Sequence, residues 1–82
     1  MPTFLVEAYA PPAVDVADVE ARAREAAAAL SDEGVAVTYV RPILVRRDET
    51  CFHLIESVSE TGVLELIRRA SLSFIRIAEA QP

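Results

Sequence analysis

Two side chains able to do chemistry near neutral pH stand close together in the stretch ETCFHLIES, residues 49–57. Cys51 and His53 are the only cysteine and the only histidine of the chain. An imidazole can hold a proton or a metal ion, and a thiolate can attack or ligate. On a strand, residues two apart point the same way but sit about 7 Å from each other, too far for a nucleophile and its base. As metal donors, C-x-H supplies two ligands and leaves a coordination sphere to be completed from elsewhere. Against both chemistries stands a plainer role, in which Cys51 is a small buried hydrophobe and His53 a hydrogen-bonded core residue.

Which reading applies depends on the elements that carry these residues. Residues 3–10, TFLVEAYA, are rich in strand formers, and Pro11-Pro12 ends them because proline donates no ladder hydrogen bond. From Asp15 the period changes: Val16, Val19, Ala23, Ala26, Ala27 and Leu30 recur three or four apart, which predicts a helix. Asp15 is placed to cap it, and Gly34 to take the left-handed turn after it. Residues 35–45 return to β-branched and aromatic types, with Pro42 pointing to an edge strand or a bulge. A polar turn at Arg46-Arg47-Asp48 leads back into ETCFHLIE as the third strand. Ser57 or Ser59 then opens a second helix, Ser57 with Glu60 fitting a capping box, and Val63, Leu66, Ile67 and Ala70 form its buried stripe. Ser71-Leu72 ends it, and residues 73–79 are the last strand.

The order β-α-β-β-α-β predicts an α+β fold of the ferredoxin-like kind, one domain over residues 1–82. Its four-stranded antiparallel sheet runs 4-1-3-2 with both helices on one face, leaving the other face open. Giving the helix side the most apolar parity of each strand puts Phe4, Val6, Ala8, Phe52, Leu54, Ile75 and Ile77 beneath the helices. Leu5, Glu7, Tyr9, Cys51, His53, Ile55, Phe74, Arg76 and Ala78 then face out, joined by Val37, Tyr39 and Arg41 if a bulge lies at Pro42. Glu7, Tyr39, His53 and Arg76 share one surface in this arrangement. A carboxylate in mid-strand needs a cation, an imidazole or solvent beside it, so Glu7 and His53 are a candidate pair. Such a pair could bind a divalent transition metal, or serve only as a structural hydrogen bond.

Composition removes other classes. The chain has 82 residues and a net charge of −5, with eight arginines and no lysine. An acidic chain without a basic stripe is poorly suited to a phosphate backbone, so nucleic acid is not an expected partner. No apolar run approaches the roughly 20 residues that cross a bilayer, and the first ten residues lack the basic start of a secretory signal, so a soluble, cytoplasmic protein is expected. A strand with one aromatic and no base is not an RNA-recognition motif, and APPAVD after the first strand has no thiol pair for metal transfer. Acylphosphatase-like catalysis lacks its asparagine. Dimeric α+β barrel enzymes, with a His or Tyr in a pocket, remain an alternative in which Tyr39, His53 and Arg76 take a carboxylate or phenol.

The runs EGVAVTYVR and DETCFHLIESVSETGVLELIRRASLSFIRIAEA resemble a widespread family of small bacterial domains of unknown function, whose best-described type is a nickel-binding, nickel-responsive actinobacterial protein. Glu7, Gly34, Val35, Tyr39, Asp48, Glu56, Ser59, Arg68, Arg69 and Ala70 stand where the family pattern has them. His53 replaces a second Cys, Val58 a Pro, and Ser71 a Gly. The resemblance implies a ferredoxin-like homodimer, and it implies nickel as the metal for Glu7 and His53. The expected function is a non-enzymatic binding protein, with the open sheet face covered by a second copy.

Overall fold

The computed structural model describes residues 1–81. The order is β1 (Thr3–Tyr9), α1 (Val16–Asp32), β2 (Val37–Val45), a 3-10 turn (Arg46–Asp48), β3 (Thr50–Ser57), α2 (Glu60–Ala70) and β4 (Arg76–Ala80). The four strands form one antiparallel sheet, ordered β2-β3-β1-β4, so β2 and β4 are the edges. This is the expected α+β layout and the expected strand order.

Local chemistry explains the boundaries. The Asp15 carboxylate accepts from the amides of Ala17 and Asp18 and starts α1, and Gly34 follows the helix at φ 90, where a side chain would be strained. The second helix departs from expectation at its start. Ser59 is its N-cap but makes no side-chain cap, while Ser57 ends β3, and its hydroxyl donates to the Ser59 carbonyl at 2.8 Å. The capping box of Ser57 with Glu60 is therefore absent. Ser71 ends α2 in the left-handed region at φ 55.

One sheet face is packed under both helices. Phe4 and Val6 of β1, Val37 and Tyr39 of β2, and Ile55 of β3 meet Ala23, Ala26, Ala27 and Leu30 of α1 and Val63, Leu66 and Ile67 of α2 in one core. The parity of β1 is as expected, but that of β3 and of the first half of β2 is reversed. Cys51, His53 and Ile55 lie under the helices, with Phe52 and Leu54 on the open face. Register decides this: Val6 pairs with His53 and Phe4 with Ile55, so they share the helix side, while Glu7 pairs with Phe52 on the other. Val37 and Tyr39 are likewise buried rather than open. The bulge falls between Tyr39 and Arg41 rather than at Pro42, and it turns Arg41 and Ile43 outward beside Leu54 and Phe52. Strand β4 is shorter than expected, so Ile75 is exposed instead of buried, and Phe74 is also exposed.

Candidate functional site

The four residues expected on one surface are divided by the sheet into two pairs. Glu7 and Arg76 are cross-strand partners on the open face, joined by an ion pair at 3.4 Å. Tyr39 and His53 lie on the opposite face, under the helices, with the Tyr39 hydroxyl 2.7 Å from His53 Nδ1. Glu7 and His53 therefore cannot hold one ion within a chain, which corrects the expected pairing. Among the described residues, no group of three or more His, Cys, Asp and Glu side chains is gathered closely enough to hold a metal. Within a single chain the described residues therefore bring no nickel donor set together.

The second pair owes its position to two elements. His53 stands on the central strand β3, and Tyr39 reaches it from the edge strand β2, just before the bulge. A bulge leaves backbone carbonyls without ladder partners. Arg24 of α1 meets them, donating to the carbonyl oxygens of Tyr39 at 3.1 Å and Val40 at 3.0 Å. Its guanidinium also lies over the Tyr39 ring, 5.3 Å from the centroid, and is held by Glu20 at 2.8 Å. Helix α1 thus fixes the tyrosine that orients the histidine.

His53 is 2 % exposed and Tyr39 is 3 % exposed. Burial pushes the imidazole pKa down, because the charged ring loses its water, and the ring is neutral at pH 7. Burial raises the Tyr39 phenol well above its usual value, so it keeps its proton. Burial also raises the Cys51 thiol, which makes it a weak nucleophile. A thiolate–imidazole pair is not what this arrangement provides.

What it provides is a cleft with a polar floor. A cavity of about 160 Å³ opens between β1, β3, the start of α1 and the segment after α2. Its walls are Ala8, Ala10, Val14, Val16, Val19 and Leu72, with Cys51 and His53 at the base and Tyr9, Arg22, Ser71 and Ser73 also lining it. Arg22 is already engaged, donating to the Ala70 carbonyl at 2.6 Å and to Asp18 at 3.1 Å. Among the described residues, Nδ1 to Tyr39 is the ring's one hydrogen bond, and no fully buried side-chain nitrogen is left without a partner. Nε2 therefore retains access to the cleft. Valines of the α1 start and Leu72 after α2 carry no motif, and the sequence pattern placed them only as core or loop. No family model matches the chain, and no curated protein or solved structure matches it.

Proposed function

We propose that this chain is a small-molecule-binding domain whose site is the cleft between the sheet and α1, with His53 at its floor. The observation that carries the reading is a buried imidazole, held at Nδ1 by Tyr39, that lines a largely apolar cavity. A cavity of this size is close to the roughly 150 Å³ that accommodates a benzene ring in an apolar protein interior. This is not the pocket expected on the open sheet face: His53 lines the cleft, Tyr39 holds His53 without lining it, and Arg76 lies on the far face. The element order and strand order agree with a ferredoxin-like sandwich, whose uncovered sheet face suits a homodimer, and we take both as part of the reading.

Binding is tested by nuclear magnetic resonance with a panel of single-ring compounds: toluene, phenol, benzaldehyde and benzoate. At least one is expected to shift the signals of His53, Val16 and Leu72 together, and Val19→Phe, which fills the cleft from α1, is expected to abolish the shifts. The reading is wrong if no compound moves these signals, or if binding survives the plugged cleft.

A further inference from the structure

The hydrogen bond between Tyr39 and His53 has a direction, and the direction selects the ligand. Tyr39 is buried, does not line the cleft, and its hydroxyl has His53 Nδ1 as its one partner among the described residues. If Nδ1 carried the ring proton, that proton would go to the phenol oxygen, and the phenol's own proton would be buried without an acceptor. Both groups are satisfied only when Tyr39 donates to Nδ1, which puts the single proton of the neutral ring on Nε2. The cleft floor is therefore a hydrogen-bond donor.

The remaining surroundings restrict the ligand's charge. The ionisable groups that touch His53 or line the cleft with it are the neutral phenol of Tyr39, the protonated thiol of Cys51 on its own strand, Tyr9 of β1, whose hydroxyl donates to Glu49 at 2.9 Å, and Arg22 from α1. The charge of Arg22 is balanced by Asp18, and the same guanidinium donates to the carbonyls of Ala70 and Ser71, so the cleft lining holds no unpaired cation for an anion. A carboxylate would lose its hydration to a mostly apolar wall and gain only neutral donors, the His53 Nε2–H and the hydroxyls of Ser71 and Ser73. Resting on the cleft reading above, we infer that the ligand is a small uncharged carbonyl compound, about one six-membered ring in size, whose oxygen accepts from His53 Nε2–H.

Because His53 is the only histidine, its two ring nitrogens can be assigned without ambiguity in a nitrogen-15 spectrum of the intact chain. The ligand-free protein is expected to show the proton on Nε2, and benzaldehyde is expected to bind roughly tenfold more tightly than toluene, with the Nε2–H signal moving on binding. In Tyr39→Phe the tautomer is no longer fixed, so the preference for benzaldehyde over toluene should shrink. A proton on Nδ1 in the free protein, or toluene or benzoate binding as well as benzaldehyde, overturns the carbonyl assignment and leaves the cleft standing as a site. If none of these compounds binds, the assignment falls together with the cleft reading.

Discussion

Tyr39 and His53 share one buried hydrogen bond, and that makes their stability contributions testable one residue at a time. Removing the phenol oxygen in Tyr39→Phe leaves Nδ1 without a donor while keeping the ring that Arg24 covers. The expected loss is about 1–2 kcal/mol of unfolding free energy, measured by urea denaturation, because one buried hydrogen bond goes and a polar atom is orphaned. A change below a few tenths would mean that the bond is not made in solution. The pH dependence follows from the histidine. Its pKa is depressed by burial from the ordinary value of 6.5, so below that pH the unfolded chain takes up a proton that the folded chain refuses. Stability is therefore level above about pH 6.5 with respect to this group and falls as the solution becomes more acidic. A second decline belongs to Glu65, whose carboxyl is held down to about 2 by hydrogen bonds from Arg68 and Arg69. Its contribution is complete above its ordinary pKa of 4.5 and is lost toward pH 2. Melting temperatures against pH should show both declines in the native chain, and only the lower one in His53→Gln.

At the scale of elements, α2 meets the end of β3 at a contact with no room to spare. A methyl group added at Gly62 would press on Ser57 Oγ well inside van der Waals distance. Ser57 is fully buried and its hydroxyl is tied to the Ser59 carbonyl, so it cannot step aside without losing that bond. Gly62→Ala gains about 1 kcal/mol of helix propensity and loses about 1–3 kcal/mol to overpacking. The overpacking should win, lowering the melting temperature by several degrees, and adding Ser57→Ala should restore part of the loss; a stabilised Gly62→Ala would show that the contact relaxes. The same contact explains where sequence reading failed. Element order, the α1 cap, the turn at Gly34 and the parity of β1 were legible, because each rests on a local pattern with one physical solution. The parity of β3 was not, since the more apolar residues, Phe52 and Leu54, lie on the open face, so choosing the most apolar parity picks the wrong side. The small residues Ser57 and Gly62 held the available signal: a helix that crosses a strand end closely needs both to be small, which puts Ser57, and with it Ile55 and His53, on the helix side. The bulge was expected two residues late, and that misplacement turned Val37 and Tyr39 to the wrong face.

For the molecule as a whole, the sheet face opposite the helices is the feature that a single chain leaves unfinished. Leu5, Ile43, Phe52, Leu54 and Ala78 are only half-buried there, around the Glu7–Arg76 pair. Four strands about 4.8 Å apart and about seven residues long make a plane of roughly 450 Å². Side-chain relief raises its accessible area toward the ~800 Å² that each partner gives to a standard interface. Sheets pack face to face when their inner faces are apolar, and a second copy offers the same face at the same concentration. The native chain is therefore expected to sediment as a dimer at tens of micromolar, with a melting temperature that rises with protein concentration. Leu54→Arg places a charge in the centre of this face and should yield a monomer whose melting temperature no longer depends on concentration. A native chain that sediments as a monomer at 100 micromolar, about the concentration where a weak interface of this area would still associate, removes the homodimer from the reading. Because His53 and its cleft open on the other side of the sheet, the Leu54→Arg monomer should bind a ring compound as the native chain does. Loss of binding in that monomer would mean that the cleft takes its shape from the dimer, and that the two faces of the sheet act as one unit.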